Sequence, residues 1–289
     1  MATLKQIRQR IRSAKNIRQI TRAMKLVAAA RLKRAQDKVL EARPYADKMR
    51  EFMESVGGAG ELPNHPLLQK REVKTYAVIL VTAERGLAGG YNTNLIRKCG
   101  DFLKVTPGES RMVAVGKKGF GFFSKRGVEM IGDNYVIPTN GASYQDAVNV
   151  TRIATELYTS GQVDAVYLCY SKFYSPIRQV PQTVQLLPIE PPKVEEGKEK
   201  KGASEYRYEP NPTDLLSILL PKYVLTQVFQ ALLEATASEF GARMTAMTSA
   251  TDNAGKMIET LTLKANRERQ ASITKEILEV VGGAEALKG

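Results

Sequence analysis

Residues 17–56 read IRQITRAMKLVAAARLKRAQDKVLEARPYADKMREFMESV, and this stretch decides the fold class. Apolar or small side chains recur in it every three or four residues, a spacing typical of a coiled-coil seam. No glycine precedes Gly57, and Pro44 is the only helix breaker. The pattern predicts a helix over residues 1–57; ~50 residues of helix at ~1.5 Å per residue are about 75–80 Å long, so this helix must pair with another long helix. The expected seam positions are Ile17, Ile20, Met24, Ala28, Leu32, Ala35, Val39, Ala42, Ala46, Met49, Met53 and Val56.

The C-terminal segment, residues 213–289, supplies the partner helix. Thr213 is a suitable N-cap after Pro212, and apolar residues then recur at helical spacing as far as Leu287. Gly241 and Gly255 interrupt the pattern at a cost of ~1 kcal/mol each relative to alanine, so we expect another backbone to come close there. The two ends of the chain therefore predict a long antiparallel coiled coil.

The middle of the chain, residues 73–190, has the alternation of an α/β domain. We expect this inserted domain to be Rossmann-like, with a small, mostly parallel sheet covered by helices. Residues 191–212 carry a dense run of glutamates and lysines and predict a charged loop. The predicted strands are Val73–Thr82, Arg111–Val115, Asp164–Tyr170 and Gln182–Leu187, and the predicted helices are Asn92–Leu103, Lys118–Lys125 and Ser143–Ser160.

Composition excludes several classes of protein. The chain has 289 residues with 43% hydrophobic and 25% charged side chains, values typical of a globular protein. No uninterrupted apolar run approaches the ~18 residues of a membrane span, so we expect a soluble or peripheral protein. Cys99 and Cys169 have no CxxC spacing, and His65 is the single histidine. These counts argue against a disulfide framework, a histidine metal site and a Ser/His triad, and they favour a reducing compartment.

Positive charge is concentrated at the N-terminal end. The whole chain carries +13, and residues 1–50 hold fifteen lysines and arginines against three acidic residues. Such a basic segment predicts an electrostatic partner: nucleic acid, anionic lipid or an acidic protein surface.

Two glycine-rich segments are candidate nucleotide sites. Residues 84–91, ERGLAGGY, follow a strand and precede a helix, and residues 116–121 read GKKGFG. Neither has the GxGxxG spacing, and GxxxxGK[ST] does not occur. We therefore expect no bound cofactor or metal, and interpret residues 84–91 as a tight turn packed against the rest of the protein.

Several segments together resemble the γ subunit of F-type ATP synthases. The most specific is ITKEILEVVGGAEA at residues 273–286, which resembles the C-terminal signature of that family. Further similar segments are ITRAMKLVAA at 20–29, ERGLAG at 84–89, ARMTAM at 242–247, ATDNA at 250–254 and RERQA at 267–271. The resemblance covers essentially the whole chain. The chain lacks the inserted cysteine pair of the plant and algal branch, so it is similar to the bacterial type without redox regulation.

This resemblance implies a function. A γ subunit is the non-catalytic central rotor shaft of F1Fo, and it couples ion flow to the conformational cycle of the β subunits. The implied partners are the α3β3 ring, the ε subunit and the c ring, at the cytoplasmic face of the bacterial plasma membrane. The positions that match ring contacts are Arg22, Met24, Lys25, Arg243, Arg269, Gln270 and Thr274. Those that match contacts with ε and the c ring are Tyr206, Tyr208 and Glu209.

Two other function classes can be weighed on the residues themselves. The basic N-terminal segment would suit a nucleic-acid-binding coiled coil, but it has no interleaved aromatic residues and no DNA- or RNA-binding motif. A nucleotide-dependent enzyme would need the phosphate loop that is missing.

The lengths of the two helices predict their register. If both leave the α/β domain at the same level, Val56 lies beside Thr213 and Met1 lies opposite residue 268. Residues from about 268 to 289 would then stand as a single unpaired helix of ~30 Å.

Overall fold

The computed structural model describes residues 3–58, 65–138, 141–190 and 212–286. By its contacts the chain forms two compact units, one of Met1–Ala28 with Met244–Gly289 and the other of Ala29–Arg243. The helices are α1 (Leu4–Gly58), α2 (Tyr91–Val105), α3 (Lys117–Phe123), α4 (Tyr144–Thr159) and α5 (Pro212–Ala286). The strands are β1 (Thr75–Val81), β2 (Glu109–Val115), β3 (Glu129–Met130), β4 (Ala165–Phe173) and β5 (Gln179–Leu187).

The larger unit contains a sheet with strand order β3-β2-β1-β4-β5. Strand β1 is parallel to β2 and β4, β2 is parallel to β3, and β5 pairs antiparallel with β4 at the edge. The fold class is therefore confirmed as α/β, with a mostly parallel sheet whose strands lie between the two long terminal helices along the sequence. Strand β3 was not predicted because it has only two residues, Glu129 and Met130, too few to show an alternation.

Strand β1 is buried on both faces of the sheet, which explains its uninterrupted apolar sequence. Val78 and Leu80 pack with residues of α2 and α3. Their neighbour Ile79 joins the opposite cluster, which includes α4 and the two long helices. The alternation of side chains along a strand thus divides the core into two layers.

Helix α5 supplies much of the second core layer. Among the described helices it alone contains a stretch long and apolar enough, at a mean hydropathy of 1.4, to cross a membrane by length and composition. The expectation from uninterrupted apolar runs missed this stretch, because scattered polar residues interrupt it. Leu220, Val224 and Val228 of α5 are fully buried against the sheet, and such burial accounts for part of the apolar composition, since 44% of the stretch is buried within the protein.

The smaller unit pairs the first part of α1 with the last part of α5, and here the predicted seam was partly wrong. Ile17 and Ile20 are 52% and 59% exposed. The residues actually buried recur at intervals of seven: Ile7, Ala14, Thr21 and Ala28. The seam is hard to recognise in the sequence because Thr21 is polar and the half-buried Lys25 lies close to it, whereas the more apolar Ile17 and Ile20 are exposed.

The register of the pair follows from one contact. Thr251 Oγ1 lies 2.8 Å from Thr21 Oγ1, within hydrogen-bond distance. An antiparallel pair with this contact places residue 3 opposite about residue 269, roughly three residues, or ~4.5 Å, beyond the predicted register. A Cβ on Gly255 would have no atom within 4 Å, so the expected close approach there was wrong.

The end of α5 has no partner within the described part of its unit. Every side chain from Arg269 to Ala284 is exposed, and the exposed residues include Ile273, Ile277 and Val280. This is the unpaired helical end that the length argument predicted. A lone helix of this size is marginal in water, because its stability comes mainly from tertiary packing.

Candidate functional site

The loop between β1 and α2, residues 82–90, packs only in part against the rest of the protein: Ala88 is buried as expected, whereas residues 85–87 are exposed. The Ala83 amide donates a hydrogen bond to Asn92 Oδ1 at 2.9 Å, and this bond connects the start of the loop to the first turn of α2. Leu87 has a positive φ of 63°, a conformation that non-glycine residues seldom adopt, and its side chain is 64% exposed. The turn therefore presents an apolar tip at the carboxyl edge of the sheet.

Helix α5 lies against the carboxyl ends of β1 and β4. In open parallel sheets, small ligands bind in the crevice at this point, where neighbouring connections leave in opposite directions. Here the Tyr91 hydroxyl donates to the Ala235 carbonyl at 3.2 Å, and Ser238 Oγ donates to the Ser171 carbonyl at 2.9 Å. A Cβ on Gly241 would lie only 3.3 Å from Pro176 Cα. The close approach predicted at Gly241 is confirmed, and a helix occupies the usual ligand position.

The second glycine segment, residues 116–121, also serves packing. Gly116 has a φ of 95°, and a Cβ there would lie 2.2 Å from the Thr82 carbonyl oxygen. The Gly119 amide donates to Thr82 Oγ1 at 2.9 Å, and the Lys118 amide donates to the Ala83 carbonyl at 3.2 Å. These amides at the start of α3 donate hydrogen bonds to Thr82 and Ala83, directly after β1. They are therefore not free to bind a phosphate.

Arg243 lies at the end of the larger unit and bonds to two of its elements. Its Nη2 lies 2.6 Å from Glu239 Oε1, one turn earlier on α5, and donates to the Gly86 carbonyl at 3.4 Å. Its guanidinium also lies over the Phe240 ring, 5.8 Å from the centroid. The side chain is only 13% exposed, so the pair with Glu239 is partly shielded from water. Arg243 is thus held in place by the chain's own residues.

Glu84 adds a second carboxyl group to this area. Its Oε1 is buried and has no hydrogen-bond partner among the described residues. Burial raises the pKa of Glu84, Lys117 opposes that rise, and the nearby Glu239 carboxyl adds to it. The described residues contain no group of three or more histidine, cysteine or acidic side chains that could hold a metal ion.

Three candidate ring contacts lie within one turn of α1, where Arg22 and Lys25 are neighbours on the helix surface and Met24 is on another face. Arg22 is exposed, and Met24 and Lys25 are half-buried. Around them the apolar side chains of Ile17, Ile20, Leu26 and Val27 are exposed. We call this set of residues from Ile17 to Val27 the α1 surface. Ile17 and Ile20 were not identified from the sequence as exposed residues, because they were assigned to the seam. The seven-residue spacing that begins at Ile7 would have shown that the seam runs along another face of the helix.

The remaining candidates lie apart from the α1 surface. Arg269, Gln270 and Thr274 are exposed on the unpaired end of α5, where Thr274 Oγ1 donates to the Gln270 carbonyl at 2.9 Å. In the observed register Lys25 lies opposite about residue 247, so roughly 20 residues, or ~30 Å of helix, separate it from Arg269. Tyr206, Tyr208 and Glu209 are outside the described residues.

Known bacterial proteins are similar to this chain along its whole length. The family described as ATP synthase matches residues 3–287. The ATP synthase gamma chain of Moorella thermoacetica is 48% identical over 288 residues, and the alignment covers 100% of both chains. The gamma chain of Desulfitobacterium hafniense is 47% identical over 288 residues, again with 100% of both chains covered.

Solved structures share the fold at lower sequence identity. A chain in the OSCP/F1/c-ring structure of the Euglena gracilis mitochondrial ATP synthase, in rotational state 3, has a TM-score of 0.72 and 20% identity. The match covers 98% of this chain and 94% of that one. A second Euglena gracilis structure, of the rotor in rotational state 1, has a TM-score of 0.66 at 19% identity and covers 93% of this chain and 98% of that one. With nearly half of its residues identical to bacterial gamma chains over the full length, the chain belongs to the ATP synthase gamma chain family.

Proposed function

We propose that this chain is the central rotor shaft of an F1Fo ATP synthase, coupling transmembrane ion flow to the conformational cycle of catalytic β subunits. The observation that carries the proposal is the unpaired end of α5, where every side chain from Arg269 to Ala284 is exposed. Exposed apolar residues on such a helix need a surrounding surface in order to be stable. A ring of α and β subunits closed around the helix would supply that surface.

The α3β3 ring is proposed to contact the chain through the residues identified from the sequence. Arg22, Met24 and Lys25 combine positive charge with the apolar side chains of the α1 surface, which suits an acidic loop with apolar residues beside it. Arg269, Gln270 and Thr274 would contact the ring near the end of α5. Arg243 would exchange Glu239 for a carboxylate of a β subunit as the shaft turns, since both are charge-assisted bonds of similar strength.

The ε subunit and the c ring are proposed to meet the chain through Tyr206, Tyr208 and Glu209. Association with the membrane would then arise only through the complex, at the cytoplasmic face of the bacterial plasma membrane. The apolar stretch of α5 supports this arrangement, because Leu220, Val224 and Val228 are buried within the protein and do not face lipid.

The chain itself is proposed to have no catalytic site, the active sites lying on the α and β subunits. The filled crevice at β1 and β4 supports this proposal. The isolated chain should bind ATP no more tightly than about millimolar, roughly −4 kcal/mol, in a calorimetric titration. Tighter binding would favour a nucleotide-dependent enzyme instead.

Charge reversal on the α1 surface tests the shaft function. A tagged chain should first copurify with α, β and ε subunits. In reconstituted enzyme, Arg22→Glu or Lys25→Glu should then lower proton pumping more than ATP hydrolysis. The reason is that exposed ion pairs contribute only ~0–1 kcal/mol to a static complex, yet each favours one rotary position over others.

The matched control is Lys104→Glu, the same reversal at an exposed lysine in the last turn of α2. It should leave the ratio of pumping to hydrolysis unchanged. Equal loss of pumping and hydrolysis through failed assembly of the Arg22 and Lys25 variants would refute the proposed role of this surface.

A further inference from the structure

The last part of α5 within the larger unit is held from two sides. From the β1–α2 side, the Tyr91 hydroxyl bonds to the Ala235 carbonyl, and the Gly86 carbonyl accepts a bond from Arg243. From the β4–β5 side, the Ser171 carbonyl accepts a bond from Ser238. On α5, Ala235 and Ser238 are three residues apart and are neighbours on the helix surface, whereas Arg243 lies ~140° round the helix from Ser238.

A close backbone contact completes the second side. The turn between β4 and β5 brings Pro176 against Gly241, where any side chain beyond hydrogen would be crowded. This turn is itself fixed, because Gln179 Nε2 donates to the carbonyls of Ser175 and Pro176 at 3.0 and 2.6 Å. The helix therefore meets a rigid element at Gly241 and not a mobile loop tip.

These contacts restrain the helix differently from the apolar core beneath it. The hydrophobic effect that buries residues such as Leu220 and Val228 resists separation of the helix from the sheet, and the close packing of their side chains also opposes rotation. Hydrogen bonds add a sharper restraint on rotation, since they weaken steeply outside their distance and angle limits. A turn of the helix by about 20° moves an atom ~4 Å from its axis by ~1.4 Å, which is enough to break a bond of this length.

We infer that Tyr91, Ser171, Pro176, Ser238 and Gly241 form a torque clamp that fixes the rotational position of α5 in the α/β domain. The clamp occupies the crevice in which other open parallel sheets bind a small ligand. In this domain a helix of the same chain is bound there. Rotation in either direction pulls α5 away from one of the two sides. These are positioning residues: they transmit load between the domain and the helix and contact no substrate.

This proposal rests on the shaft function proposed above, and its test uses the assembled enzyme. The double variant Tyr91→Phe/Ser238→Ala removes two hydroxyl groups and changes no charge. Each lost bond should raise the fraction of rotors with a disengaged clamp about fivefold, corresponding to ~1 kcal/mol. We expect ATP hydrolysis without a proton gradient to persist, while the ratio of protons pumped to ATP hydrolysed falls as an opposing gradient is raised. The width of the angular fluctuations of a probe on the rotor should also increase.

The control double variant is Tyr76→Phe/Ser160→Ala. It removes the same two kinds of hydroxyl, which bond to the carbonyls of Thr106 and Leu157 inside the domain and not to α5. It should leave the pumping ratio and the angular width at their wild-type values. If the double variant fails to assemble, the single variants Tyr91→Phe and Ser238→Ala can be measured in its place. Each should lower the pumping ratio and widen the angular fluctuations less than the double variant would.

The outcomes separate the two proposals. Wild-type enzyme that hydrolyses ATP without pumping either protons or sodium ions would refute the shaft function, and the clamp with it. Wild-type enzyme that pumps, together with clamp variants that match it in pumping ratio and angular width, would refute the clamp alone. A control variant that loses as much coupling as the clamp variants would also refute the clamp, because the loss would then reflect general weakening of the domain.

Discussion

Replacing Gly116 with alanine should destabilise the α/β domain strongly. A Cβ at this position would lie 2.2 Å from the Thr82 carbonyl oxygen, far inside van der Waals contact, so the backbone must move. The φ of 95° adds strain for any L-residue, ~1–2 kcal/mol. Movement would also weaken the bonds of the Gly119 amide to Thr82 Oγ1 and of the Gly116 amide to the Tyr135 carbonyl, at ~1 kcal/mol each. Together these effects predict a loss of about 3–4 kcal/mol.

The same segment contains a matched control. Gly121 lies inside α3, and a Cβ there would meet no atom within 4 Å. Gly121→Ala should therefore stabilise the domain by ~0.5–1 kcal/mol through helix propensity alone. Two identical substitutions five residues apart should thus change stability in opposite directions.

Urea unfolding followed by tyrosine fluorescence measures both changes. The chain has no tryptophan, and Tyr76 and Tyr158 are fully buried in the α/β domain, so these two tyrosines report on that domain, while Tyr45 and Tyr223 of the long helices add to the signal. With a urea slope of ~2 kcal/mol/M, Gly116→Ala should lower the midpoint by roughly 1.5–2 M and Gly121→Ala should raise it slightly. A wild-type midpoint for Gly116→Ala would show that the close approach to Thr82 is absent, and would refute the packing role of residues 116–121.

Two further predictions concern the long helices. In the isolated chain, amide exchange should be fast from Ile273 to the end of α5 and slow from Phe240 to Leu261, with protection of the end appearing only in the assembled ring; slow exchange throughout the end of the free chain would contradict the unpaired helix. Burial raises the pKa of Glu234 above its ordinary 4.5, against the opposing effects of Gln230, Lys172, the Phe173 amide and Arg43. The folded protein therefore binds that proton more tightly than the unfolded chain, and stability is lost as pH rises above about 4.5. Glu234→Gln should raise the urea midpoint near neutral pH and change it less at acid pH, whereas an equal shift at both would show that Glu234 does not titrate differently on folding.

Local sequence signals determined the elements of this protein. Ser143 caps the N-terminus of α4 as expected, and its side chain and that of Asp146 form a reciprocal capping box. The apolar run at β1 predicted a strand buried on both faces, and the periodicity at each end of the chain predicted the two long helices. The family, too, could be identified from the segments quoted, since they extend along the whole chain. These features depend on residues close in sequence.

Only the tertiary structure decided which faces and which partners these elements use. An apolar spacing of threes and fours fits more than one helical face, so Ile17 and Ile20 were assigned to a seam that is in fact formed through Ala14 and Thr21. Gly241 and Gly255 of α5 look alike in sequence, yet Gly241 meets Pro176 and Gly255 meets nothing within 4 Å. The placement of α5 in the crevice of the sheet is likewise decided by contacts between residues far apart in the chain. Periodicity specifies a helix and its approximate apolar side, but the exact face and register depend on the shape of the surface that the helix meets.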